Sequence, residues 1–146
     1  MRATTIVSLI FAFIGAGGTA SNPSKTRDQQ VQILCDVQGY VVVEKVDDNI
    51  AHLRDLSGNA TLGHQEGGGW CYRYSCSYES GIYGCNDNQY DANVPWSTLA
   101  DYAQTVKDNC TKQLEDGKAH WKVIQGQAFD SNGWNVIVGL KDGTYC

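Results

Sequence analysis

The segment Trp70-Cys-Tyr-Arg-Tyr-Ser-Cys-Ser-Tyr-Glu-Ser-Gly-Ile-Tyr-Gly-Cys85 carries the most specific local pattern in the chain. Tyr72, Tyr74, Cys76 and Tyr78 alternate with Arg73, Ser75 and Ser77, the period of two that places a row of aromatics on one face of a strand. Ser80-Gly81 predicts a two-residue turn, which sets Glu79 against Ile82, Tyr78 against Tyr83 and Cys76 against Cys85. The last two pairs fall at non-hydrogen-bonded positions, where Cα atoms lie about 4.5 Å apart. That geometry makes Cys76–Cys85 the favoured disulfide. Cys71 and Cys76 lie along one strand about 16 Å apart and cannot bond to each other. The aromatics Trp70, Tyr72, Tyr74, Tyr78 and Tyr83 have two readings: a face that binds a sugar or a partner, or the core face of a sheet covered by a helix.

A helix long enough for that role follows. Val94-Pro95-Trp96-Ser97 opens it, with proline at a tolerated first-turn position, and Leu99, Tyr102, Ala103, Val106 and Cys110 recur at helical spacing as one apolar stripe. Cys110 therefore sits on the buried face and clamps helix to sheet, and Asp116-Gly117 ends the segment. Beyond it, residues 120–129, the turn Asp130-Ser-Asn-Gly133 and residues 134–140 predict a β-hairpin. Asp142-Gly143 gives one more turn, and Cys146 is expected to tie this end back to the body.

Working towards the N-terminus, the glycine-rich stretch 57–69 predicts a loop, exposed enough for the sequon Asn59-Ala60-Thr61 to be glycosylated. The second sequon, Asn109-Cys110-Thr111, has a cysteine at its centre and a half-buried helix around it, which argues against its use. Residues 50–56 predict a short helix capped by Asp47-Asp48-Asn49 and closed by Gly58. Residues 30–37 and 40–46 predict two β-branched strands around a Gln38-Gly39 turn. Hairpins with two helices give an α+β class: an antiparallel β-sheet with two helices packed on it, a small disulfide-bonded α/β sandwich in a single domain over residues 30–146.

The compartment follows from residues 1–20, where Arg2, the apolar run from Ile6 to Gly15 and the small residues up to Ala20 have the order of a secretory signal peptide. The apolar run is about ten residues, half of what a bilayer span needs. Removing residues 1–20 takes away one cation and leaves 126 residues at a net charge of −6 in place of −5, beginning with a flexible N-terminal segment over 21–29. Export favours disulfides over zinc or free thiols, and Cys35, Cys71, Cys76, Cys85, Cys110 and Cys146 all lie in the mature chain. No pair has zinc-ligand spacing, so no metal and no cofactor is expected.

The acidic balance removes the footprint that nucleic-acid binding through phosphate contacts requires. Catalysis has few anchors. His52, His64 and His120 are the candidate acids or bases, and His120 with Glu44, Glu79 and Arg73 can be cast as a ribonuclease-type set, though no pair has a diagnostic spacing. Nucleophile-elbow, metalloprotease, phosphate-loop and dinucleotide motifs are absent from the sequence.

With a signal peptide through Ala20, 126 mature residues, six cysteines, Tyr/Trp-rich strands and a cysteine at 146, the chain resembles the small secreted cysteine-rich candidate effectors of plant-associated filamentous fungi. The alternation of strands and two helices is similar to the α/β sandwich of killer-toxin-like effector folds. The resemblance implies a monomeric, non-enzymatic virulence protein that binds a host protein in the apoplast or host cytoplasm and modulates immunity or cell death. A secreted hydrolase and a carbohydrate-binding module are the alternatives.

Overall fold

The β-strand and helix assignments come from a computed structural model that describes residues 31–37, 39–116, 119–140 and 146. The expected signal peptide, the segment 21–29, Gln38 and the Asp142-Gly143 turn lie outside the described residues. In chain order the elements are β1 (Gln32–Cys35), β2 (Val41–Val42), α1 (Val43–Asp55), β3 (Asn59–Leu62), β4 (Trp70–Ser77), β5 (Ser80–Asn86), β6 (Ala92–Pro95), α2 (Trp96–Cys110), β7 (Thr111–Asp116), β8 (Ala119–Ile124), β9 (Gly126–Phe129) and β10 (Trp134–Gly139). The main sheet has the order β1-β9-β10-β5-β4, a second has β2-β8-β7, and β3 pairs with β6. All these pairings are antiparallel, and α1 packs on β4 and β5 while α2 packs on β9, β10 and β1. The chain is thus the α+β, disulfide-bonded domain expected from the sequence.

The core lies between the helices and the main sheet. Val46, Ile50 and Leu53 of α1 and Leu99, Ala103 and Val106 of α2 meet Ile82, Ala128, Val136 and Val138. The apolar stripe expected on α2 is buried as read, and Cys110 at its end bonds Cys35 of β1, clamping helix to sheet. Gly126 lets β9 approach this clamp, since a Cβ there would lie 2.8 Å from the Cys110 sulfur and 2.9 Å from Val106 Cγ1.

The stretch 40–46 corrects the first strand reading, because only Val41–Val42 is strand and α1 already begins at Val43. Val43, Val46, Ile50 and Leu53 fall on one helical face and are all buried. Burying each is worth roughly 1.5–3 kcal/mol, against a helix-propensity penalty for valine of at most about 0.7 kcal/mol; packing wins. Asp47-Asp48-Asn49 are therefore helical and not caps. Asn49 is the one polar residue in the buried stripe, and its amide donates to the Ser80 carbonyl at 3.0 Å.

The β4–β5 hairpin turns two residues earlier than read. Ser77 pairs with Ser80, leaving Tyr78-Glu79 as the turn, and Tyr78 takes the positive φ of 54° that a primed hairpin turn demands at its first position. The register then shifts between Arg73 and Ser75, so that Tyr74 is an extra residue without a partner. Cys71 thereby faces Cys85 and bonds it, and Cys76 bonds Cys146. The expected Cys76–Cys85 bridge is corrected accordingly: with the turn at Tyr78-Glu79, Cys76 faces Gly81. The expected anchoring of Cys146 is present, and its backbone N–H also donates to the Tyr78 carbonyl at 3.0 Å.

Three further boundaries differ. Asn59–Leu62, read as loop, is a strand that buries Ala60 and Leu62 beneath β6. Helix α2 stops at Cys110, where Thr111 turns extended and begins β7. Residues 120–129 break at Gln125 into β8 and β9, which belong to different sheets. The Asp130–Gly133 turn stands as read, with Asp130 N–H donating to the Trp134 carbonyl at 2.8 Å and Gly133 at φ 78°.

Candidate functional site

Register places a row of side chains on the outer face of the β2-β8-β7 sheet. Val42 pairs with Val123, Val123 with Lys112, and Trp121 with Leu114, and alternation along each strand keeps Trp121, Val123, Lys112 and Leu114 on one side. Val41 and Ile124 take the opposite side and enter the core. Tyr40, Trp121 and Tyr78 remain 41%, 52% and 72% exposed. Between them runs a groove of about 600 Å³, floored by Val42 and Val123 and closed by Cys146.

The rim is held by charge and hydrogen bonds. Lys112 Nζ binds Asp36 Oδ2 at 2.5 Å and the Tyr40 hydroxyl at 3.4 Å, while Tyr40 donates to Asp36 Oδ1 at 2.7 Å. The bond from Lys112, then that from Tyr40, holds the Asp36 carboxyl below its ordinary value, and Asp36 in turn raises the Lys112 ammonium. Across the groove, Lys45 Nζ lies 4.3 Å above the Tyr78 ring and 3.4 Å from Asp48 Oδ2. Tyr78 projects from the turn at positive φ, a conformation uncommon for a bulky residue and held here by the Cys146 bond and the Cys76–Cys146 disulfide. Tyrosine and tryptophan so placed offer large contact area at small entropic cost.

The aromatic row read from the sequence divides among three places. Trp70, Tyr72 and Tyr74 stay together, with Trp70 and Tyr72 stacked at 6.2 Å and 16° and Tyr74 edge-on to Tyr72 at 5.3 Å. Trp96 of α2 extends this ladder, and the Tyr74 hydroxyl donates to the Thr61 carbonyl at 2.5 Å. Tyr72 is 59% exposed, while Trp70, Tyr74 and Trp96 pack against the core, as the core-face reading expects of part of the row. Tyr83 is buried on the other face with Cys85 and Ile137, and Tyr78 stands at the groove. The extra residue at Tyr74 and the earlier turn break the single row.

The catalytic candidates do not converge as cast. His120 lies 3.6 Å from Glu115 across β7–β8, Glu79 lines the groove, and Arg73 lines a separate polar pocket of about 370 Å³ with His52. Glu44 lies in the first turn of α1, and His64 contacts Asp91 at 2.6 Å. In the His52 pocket, Asn49 donates its amide to Ser80, so its carbonyl oxygen accepts the Ser75 hydroxyl proton at 2.8 Å. His52 Nδ1, 3.1 Å from Ser75 Oγ, must then be the donor, leaving Nε2 as the acceptor. This polarity is the reverse of a histidine that activates a serine nucleophile. Among the described residues no group of three or more His, Cys, Asp or Glu is arranged to hold a metal ion, and no helix is long and apolar enough to cross a membrane.

Asn59 opens β3 and is exposed, whereas Asn109 donates its amide to the Thr105 carbonyl at 2.7 Å beside the disulfide-bonded Cys110. The groove residues Tyr40, Lys45 and Trp121 went unread in the sequence, although Trp121 and Val123 alternate with His120 and Lys122 as residues of one strand face do. No family model matches the chain, and neither curated proteins nor solved structures give a match.

Proposed function

We propose that the protein is a secreted effector of a plant-associated fungus that acts by binding a host protein and so modulates host immunity or cell death. The reading takes in export through the signal peptide at residues 1–20 and the layered α/β plan of killer-toxin-like effectors. One observation supports it above the others: an apolar groove edged by three exposed aromatic side chains, Tyr40, Tyr78 and Trp121, on an otherwise acidic molecule. Such a patch is costly to leave in water and marks contact surfaces in exported domains.

The test is infiltration of the purified, oxidised protein into host tissue beside a Tyr78→Ala/Trp121→Ala variant of equal melting temperature, with crosslinking to recover the partner. Loss of both the tissue response and the crosslink in the variant supports the groove as the contact. An undiminished response rejects it. A second reading, a carbohydrate-binding module, draws on the exposed Tyr72 ring stacked on Trp70; glycan-array binding that disappears in Tyr72→Ala would favour it over the first.

A further inference from the structure

The groove divides its charges unevenly. Both cations beside it are engaged within the chain: Lys45 Nζ contacts the Asp48 carboxylate and the Tyr78 ring, and Lys112 Nζ contacts the Asp36 carboxylate and lies 5.9 Å from the centre of the Tyr40 ring. Glu79 differs from them. It stands exposed in the hairpin turn at the groove, and its carboxylate has no hydrogen bond or ion pair among the described residues. Trp121, the third exposed ring, has no cation of the described residues over its face. An apolar floor of Val42 and Val123, one indole and one carboxylate are therefore what a partner meets.

We propose that the groove takes a cationic amphipathic segment of a protein, seating an apolar side chain on Val42 and Val123 and bringing Arg or Lys side chains to Glu79 and Trp121. The inference rests on the reading of this groove as the host contact and names the chemistry of the surface it meets. Three kinds of segment differ in what they leave unpaired. An acidic one finds both ammoniums taken and must displace Asp36 or Asp48, stranding that carboxylate. A wholly apolar one covers Glu79 with no partner for its charge, which is costly to bury. A basic segment meets neither cost, and a cation over an indole is attracted to the ring.

The charge of the whole chain acts in the same direction. At net −5, the protein draws basic surfaces towards it and repels acidic ones before contact. The pairs Asp48–Lys45 and Asp36–Lys112 serve a basic partner too, since they neutralise the two lysines that would otherwise repel it. Arginine is expected ahead of lysine, because its planar guanidinium grips a carboxylate through two N–H groups and stacks on an aromatic face.

Selection from a random heptapeptide library on phage, against the immobilised, oxidised protein, tests it, with the Tyr78→Ala/Trp121→Ala protein used to subtract peptides that bind elsewhere. Enriched sequences are expected to set arginine or lysine beside a large apolar residue. The affinity of the most enriched peptide, made synthetically, is expected to fall roughly tenfold with Glu79→Gln, further with Glu79→Lys, and steadily as salt rises. Against the same peptide with glutamine in place of its cations, Glu79→Gln is expected to change nothing. Enrichment of acidic or uncharged sequences, no enrichment beyond the subtracting variant, or an affinity indifferent to Glu79 overturns the proposal. A tissue response that requires Tyr78 and Trp121 while basic peptides fail to bind rejects the basic chemistry and leaves the host contact standing. Basic peptides that bind a protein whose response survives Tyr78→Ala/Trp121→Ala support the chemistry and reject the host contact.

Discussion

Cys71 faces Cys85 directly across the β4–β5 ladder, with Cα atoms 4.1 Å apart, because Tyr74 occupies an unpaired place between Arg73 and Ser75. Were Tyr74 instead paired with Tyr83 in an unbroken ladder, Cys71 would oppose Asn86. Non-reducing peptide mapping is therefore expected to recover Cys71–Cys85, Cys76–Cys146 and Cys35–Cys110. A chain lacking Tyr74 loses the irregularity but keeps Arg73 opposite Tyr83, so the first of these is expected to persist. A peptide joining Cys76 to Cys85 would sink the register.

The three bridges do not contribute equally. Chain-entropy arguments scale with the loop closed, and Cys35–Cys110 spans 75 residues against 14 for Cys71–Cys85. Replacing the first pair by alanine is expected to cost about 1.5 kcal/mol more than replacing the second. Urea denaturation of the two double variants measures the difference; equal losses would contradict the loop-length account.

Asn86 is fully buried and donates to the carbonyls of Leu62, Gly63 and Tyr90 while accepting from Asn88. It ties the β3–β4 loop to the β5–β6 loop, and Asn88 reaches on to Asn132. Asn86→Ala is expected to cost about 3 kcal/mol, because several buried carbonyls lose their donor. Asn86→Asp keeps the shape and loses the amide donors, so comparable damage is expected; a thermal melt in which it matched the parent would show the donors to be dispensable.

Gly126 lies where a Cβ would press on the Cys110 sulfur and Val106. Overpacking of this kind costs about 1–3 kcal/mol, and Gly126→Ala is expected to fall in that range by chemical denaturation. A melting temperature equal to the parent's would mean that β9 has room to retreat from α2.

Alkaline stability follows from two phenols. Burial first, then the charges of Tyr72 and Asp91, pushes Tyr74 up to about 12 from 10.0. Burial and then the bond to Asp130 raise Tyr102 as well. Folded values above the unfolded ones mean that this stabilisation is present in full below pH 10 and is lost as pH rises from 10 towards 12. Tyrosinate absorbance and circular dichroism are expected to show the last phenols ionising together with unfolding, with a shallower loss in Tyr74→Phe. A stability that stays level through that range would refute the assignment.

Much of the fold was legible where local pattern and packing agree. The stripe Leu99–Cys110 and the Asn132-Gly133 turn carry their own geometry, and both stand as read. Val41-Val42-Val43 was not legible, because three identical β-branched residues divide between a strand and a helix whose burial is decided by β4 and β5. The β3–β6 pair eluded local reading because Asn59 and Pro95 are brought together only by the tertiary fold. At the site, Tyr78 was singled out for its place in an aromatic row, yet its turn carries it to Lys45, and Tyr40 and Trp121 became neighbours of it through a sheet whose strand order is not sequential.

The disulfides at 35–110 and 76–146 close overlapping covalent rings that together span every peptide bond from residue 35 to residue 146. A protease that makes one cut anywhere in that interval therefore opens a ring without releasing a fragment. The two halves stay tethered, and the non-covalent contacts around the cut can hold them in place. In a fluid rich in proteases, such a molecule survives as one particle after a cleavage that would divide an uncrosslinked chain.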